Sequence, residues 1–111
     1  MSSRQEIGSI LTELFSVIEK RRGASPDSSY TAHLLSGGET KCAQKFGEEA
    51  VEAVIAGAAG DAKALTAEAA DALYHLLVLL AANNVALEDV AAELKRRQGV
   101  SGHTEKAARD S

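Results

Sequence analysis

Four carboxylates carry the strongest chemical signal in this chain. Glu49 and Glu52 stand three residues apart, and Glu68 and Asp71 repeat that spacing. Residues three apart share a helix face, so on helices each pair would present two carboxylates in one direction. The pairs also mirror one another about residue 60: a chain reversal near Gly60 brings Glu52 level with Glu68 and Glu49 level with Asp71. Four negative charges would then meet across one seam. At about 4 Å, two such charges repel by roughly 1 kcal/mol in water and about 4 kcal/mol at an effective dielectric of 20. A hard divalent cation offsets that cost, and magnesium combines a few carboxylates with waters and substrate phosphates. The pattern therefore predicts a magnesium site acting on a phosphate compound. Either pair alone would read as a solvated helix face, because glutamate is a good helix former. The mirrored repeat favours the metal site, with a solvated face as the remaining alternative.

Other groups gather around these four. At about 100° per residue, Lys41, Lys45, Glu48, Glu49 and Glu52 fall within about a third of a turn. Lysines one or two turns before carboxylates form i, i+4 salt bridges, and they also suit phosphate oxygens on the far side of a metal. On the second helix Glu68, Asp71, Ala72 and His75 share a stripe. His75 reads as a metal ligand, a base or, more often for such a histidine, a hydrogen-bonded neighbour of the site. Tyr30 and Thr31 are candidate ligand contacts, although a tyrosine there more often packs with its hydroxyl in water. His33 reads as a surface residue. Cys42 shares the opposite, apolar side with Ala43, Phe46, Ala50, Ala53 and Val54, which makes it core rather than nucleophile.

The elements that must position these groups are helical throughout. A first helix is expected over about 4–22, opened by a Ser3–Glu6 capping box and closed at Gly23. Ile7, Ile10, Leu11, Leu14, Phe15 and Ile18 give it one buried stripe. Ser29 caps a short helix through Leu35, ended by Gly37 and Gly38. The acidic helices follow over about 39–57 and 62–82, with Asp61 as the N-cap of the second. Alanines 64, 69, 70 and 72 permit close helix approach. A last helix over 85–97 buries Leu87, Val90, Ala91 and Leu94, after a turn at Asn83 and Asn84. The expected fold is all-α: a helical bundle of three long helices plus a short helix, completed by homodimerisation. Dimerisation follows from the run LLVLLAA after His75, which is apolar on every side and must be buried on every side.

At 111 residues the chain forms one expected domain, 1–111, with a polar tail from about 99. Lys106 and Arg109 in that tail are candidate phosphate contacts, against a default of a solvated terminus. Twelve basic against sixteen acidic residues, net −4, argue against a general nucleic-acid binder. The lone Cys42 allows no internal disulfide and no cysteine-rich zinc site. The N-terminus lacks a signal-peptide apolar core, and the run 76–82 falls short of the roughly 20 residues of a membrane span. A soluble, cytoplasmic protein is expected, with no membrane partner.

The runs SYTAHLLSGGETKCAQKFGEEAVEAVIA, EAADALYHLLVLL and SGHTEKAAR together resemble the phosphoribosyl-ATP pyrophosphatases of histidine biosynthesis, within the all-α nucleoside triphosphate pyrophosphohydrolases. The wider superfamily carries Glu-x-x-Glu followed by Glu-x-x-Asp, matched by Glu49, Glu52, Glu68 and Asp71. The SYT segment, the Gly38-x-x-Lys41 spacing, and the EEAVE, LYH and tail blocks carry the narrower resemblance over about 29–109. It implies hydrolysis of 1-(5-phosphoribosyl)-ATP, a small-molecule nucleotide substrate, to phosphoribosyl-AMP and pyrophosphate by a magnesium-dependent homodimer. Glu49, Glu52, Glu68 and Asp71 would hold Mg²⁺. Glu48 would orient water or support the ligands, and Lys41, Lys45, Lys106 and Arg109 would bind phosphate. The alternatives are a house-cleaning (d)NTP pyrophosphohydrolase and a non-catalytic helical dimerisation module. A di-iron bundle pairs Glu-x-x-His motifs from two helices, whereas here His75 follows Asp71 by four and no second such histidine exists.

Overall fold

The computed structural model describes residues 6–99. Within them the chain forms α1 (Ile7–Lys20), α2 (Tyr30–Ser36), α3 (Gly38–Ala58), α4 (Ala62–Ala82) and α5 (Leu87–Arg97), and no strand. Three long helices and the short α2 make the expected bundle, and the 11-residue α5 follows them. Ser3 of the proposed capping box lies outside the described residues. Glu6 takes the N-cap position itself, with extended backbone and no side-chain cap bond, so α1 opens later than the sequence reading had it.

The α3–α4 hairpin turns on local chemistry. Gly60 adopts φ +71°, a left-handed conformation that glycine enters without steric cost. The Asp61 amide then donates back to the Ala56 carbonyl at 3.1 Å, and the Gly60 amide to Gly57 at 3.1 Å. That paired closure ends α3 while using two of the carbonyls its last turn leaves free. Asp61 immediately starts α4, its carboxylate accepting from the Ala64 amide at 3.0 Å. The reversal is therefore completed within a few residues, which sends α4 back along α3. Asn84, at φ +59°, ends α4 in the same way, with the Val85 amide donating to Leu80 at 2.9 Å. The Asn84 side chain also accepts from the Arg22 guanidinium, tying the loop after α1 to the end of α4.

The core is small. Phe15 and Ile18 of α1, Leu34 of α2, Cys42 of α3, and Leu77, Val78 and Ala81 of α4 form one buried cluster. Cys42 is core, as its apolar side implied: its thiol donates to the Leu34 carbonyl at 3.3 Å, and burial raises its pKa. Ser29 caps α2 by accepting from the Ala32 amide at 3.0 Å, which seats Leu34 against Cys42.

Several expected core positions are open to solvent. Ile7 is 65 % and Ile10 43 % exposed, Val54 68 %, and Leu94 60 %. Ala43 and Ala91 are exposed as well, and α5 buries no residue at all. The apolar faces are present, but a single copy supplies no helix to cover them. Leu11, Leu73, Leu76, Leu80, Val90 and Leu94 instead line an apolar groove of about 300 Å³ between α1, α4 and α5. By length and composition α4 is apolar enough to cross a membrane, which the shorter run 76–82 did not reveal. It also carries Glu68, Asp71 and the buried His75, and it supplies more of the buried core than any other helix.

Candidate functional site

The hairpin brings three of the four carboxylates together. Ligand oxygens of Glu49, Glu68 and Asp71 all lie within 4.8 Å of one another. Glu49 comes from the middle of α3, and Glu68 and Asp71 from successive turns of α4. Glu49 and Glu68 are half-buried and Asp71 is exposed, so the cluster is open on one side. The mirror about residue 60 thus places Glu49 beside Asp71. Glu52 stands outside the trio on the exposed side of α3, and its charge still reaches Glu68. Burial raises the Glu68 pKa above its ordinary 4.5, and the carboxylates of Asp71, Glu52 and Glu49 push it further. Three converging hard-oxygen donors with one open side could hold a divalent cation.

His75 is 5 % exposed, with Nε2 3.9 Å from a Glu49 carboxylate oxygen. That distance is contact rather than a hydrogen bond. Burial lowers the His75 pKa against the opposing pull of Glu49, so the ring is neutral at pH 7 and supplies no countercharge. Its orientation comes from aromatic packing: it stands edge-on to Tyr74 at 5.0 Å and to Tyr30 at 6.2 Å. Tyr74 shares a 2.6 Å hydrogen bond with Thr31, which links α4 to α2. Tyr74 is a site-supporting residue that the sequence reading passed over, although it lies three after Asp71 and so on the same face.

Lys45 and Glu48 pair with each other at 3.3 Å, and Glu48 also accepts from Gln44 at 3.1 Å. The Gln44 and Lys45 hydrogen bonds lower the Glu48 pKa and keep it ionised, turned toward Lys45 rather than into the trio. Lys41 is exposed one turn earlier and lines a cleft with Tyr30, which is itself 55 % exposed, and with Lys45. Lys106 and Arg109 lie outside the described residues.

Fold and site together define an all-helical protein with a carboxylate cluster across an antiparallel helix pair. A family model described as phosphoribosyl-ATP pyrophosphohydrolase matches residues 11–98. The phosphoribosyl-ATP pyrophosphatase of Dinoroseobacter shibae is 61% identical over 101 residues, covering 91% of this chain and 99% of its own. That of Ruegeria pomeroyi is 61% identical over 101 residues, 91% of this chain and 96% of its own. That of a Jannaschia species is 63% identical over 99 residues, 89% and 97% of the two chains. The chain belongs to the phosphoribosyl-ATP pyrophosphohydrolase family.

Charge crowding at the trio has a measurable consequence. With its folded pKa raised, Glu68 stabilises the metal-free fold fully below its ordinary 4.5 and loses that contribution as pH rises through the folded value. Carboxyl-carbon NMR of the metal-free protein should place Glu68 above 4.5. Asp71→Asn should bring it only part of the way back, because burial is the larger cause. A Glu68 that titrates at 4.5 or below would mean the carboxylates do not crowd one another.

Proposed function

We propose that this chain hydrolyses 1-(5-phosphoribosyl)-ATP to 1-(5-phosphoribosyl)-AMP and pyrophosphate, in the cytoplasm, as a step of histidine biosynthesis. The observation that carries the reading is the convergence of Glu49, Glu68 and Asp71 in a member of this family. The trio fits Mg²⁺: metal–oxygen bonds of about 2.0–2.1 Å set ligand oxygens about 3–4 Å apart. Small rotamer changes would close a cluster already within 4.8 Å. Glu49, Glu68 and Asp71 would hold the ion, with Glu52 completing the set. Bound there, Mg²⁺ would polarise the phosphoryl oxygens and neutralise charge on the leaving pyrophosphate.

The chain's own groups do the rest. Water forms a bond to phosphorus as the bridge between the α- and β-phosphates breaks, and its proton must be taken up nearby. Glu48, kept ionised by Gln44 and Lys45, is the candidate for orienting that water. Lys41 and Lys45 supply positive charge to phosphate oxygens along the same face of α3, joined by Lys106 and Arg109 of the tail. His75 stays neutral and holds the Glu49 side of the cluster in place through its packing on two tyrosines.

Turnover of phosphoribosyl-ATP should far exceed that of ATP, dCTP or dUTP and should vanish with chelator. Glu49→Gln and Asp71→Asn should each lower kcat by about 100-fold or more, with far-UV circular dichroism unchanged. Equal rates on free nucleotides would move the chain to the house-cleaning class, and magnesium-independent turnover would remove the metal from the mechanism.

The same reading makes the protein a homodimer. Its core is small against the roughly 1–2 kcal/mol of backbone entropy that each ordered residue costs, and the groove beside Leu73, Leu76, Leu80 and Leu94 is open. A second copy is the occupant that matches so long an apolar face in a soluble enzyme. Sedimentation at micromolar concentration should give twice the chain mass, and Leu76→Lys should shift it toward one. A wild-type monomer would contradict the dimer.

A further inference from the structure

Beside the carboxylates, between α2 and the start of α3, lies a cleft of about 390 Å³ lined by Tyr30, His33, Ser36, Gly37, Lys41 and Lys45. Its size falls within the roughly 300–1,000 Å³ of ligand-binding clefts. It shares a wall with the carboxylate cluster. The Tyr30 ring meets His75 edge-on at 6.2 Å, and His75 reaches Glu49 at 3.9 Å. The two lysines are not equivalent. Lys45 already pairs with Glu48, whereas among the described residues Lys41 has no carboxylate within ion-pair distance, which leaves its charge for a ligand. Lys41 also stands farther out. At about 1.5 Å of rise per residue, its backbone lies about 12 Å along α3 from Glu49, and that of Lys45 about 6 Å.

Gly37 adds a constraint on where that charge sits. Its φ of −78° suits any residue, yet a methyl group there would come within 2.9 Å of both Cβ and Cγ of Lys41. The bare backbone at 37 is what lets the Lys41 stem lie against the α2–α3 junction, where it lines the cleft.

The substrate proposed above has two anionic ends. It differs from ATP by a phosphorylated ribose, so an enzyme that prefers it needs positive charge well away from the metal-bound triphosphate. We infer that the cleft is the subsite for this phosphorylated ribose, with Lys41 neutralising its monophosphate, Tyr30 walling the sugar, and Gly37 positioning Lys41. The inference rests on the phosphoribosyl-ATP reading and assigns the residues that set its selectivity over ATP.

The test compares wild type, Lys41→Ala, Gly37→Ala and, as a charge control at the far end of the hairpin, Lys63→Ala. Each is assayed on phosphoribosyl-ATP and on ATP. Loss of a charge-assisted contact should raise the KM for phosphoribosyl-ATP about 10–100-fold in Lys41→Ala and lower the preference over ATP by a similar factor. Gly37→Ala should move the same way by less, and Lys63→Ala should keep the wild-type preference. An equal loss on both substrates in Lys41→Ala would assign the lysine to the shared triphosphate and overturn the subsite. Ribose 5-phosphate alone, titrated into the metal-loaded protein and followed by the Tyr30 ring resonances, separates this inference from the functional reading. Binding lost in Lys41→Ala supports the subsite even if turnover proves to lie elsewhere. Absence of binding to wild type contradicts it even if phosphoribosyl-ATP is the substrate.

Discussion

Like charge pressed together across the α3–α4 seam is the constraint on which the rest of this structure depends. Three carboxylates within 4.8 Å of one another work against folding unless a cation joins them, and burial first, then the neighbouring carboxylates, raise the Glu68 pKa. The hairpin holds them there because its turn leaves α4 little freedom of direction. Gly60 supplies the left-handed residue, and its neighbours close the end of α3. Asp61 then opens α4 in the next step. His75 and the two tyrosines brace the Glu49 side without adding positive charge. The site is thus fixed by the hairpin turn and crowded with negative charge, which suits the cation proposed above.

The seam was readable in the sequence because it depends on short-range rules. Helix periodicity paired Glu68 with Asp71, and a glycine followed by a capping aspartate marked the reversal. The mirror relation then put Glu49 beside Asp71. What it could not supply was the rotamer of each side chain. Glu52 occupies the expected register yet stays out of the trio, and Glu48 turns to Lys45 and Gln44. Those outcomes depend on competition among neighbouring charges on one face, which spacing alone does not rank. Tyr74 escaped notice for a different reason: its role comes from Thr31 on another helix.

The expected core positions that lie open to solvent share one feature. Ile7, Ile10, Val54 and Leu94 have the periodicity of buried residues, and they remain exposed in a single copy. An amphipathic stripe states that a face must be covered, not which chain covers it. The apolar groove alongside α4 and the acidic seam on its α3 side set an apolar face and an acidic face on one helix. Changes in the buried part of α4 would therefore be felt at Glu68 and Asp71.

The most direct test of the central claim is to locate the cation. Crystals grown with Mn²⁺ in place of Mg²⁺ and measured at the manganese absorption edge would show where it binds. The account predicts an anomalous peak bounded by Glu49, Glu68 and Asp71, with their oxygens drawn in to about 2.1–2.2 Å. A peak elsewhere, or three carboxylates still spread apart at saturating metal, would contradict it.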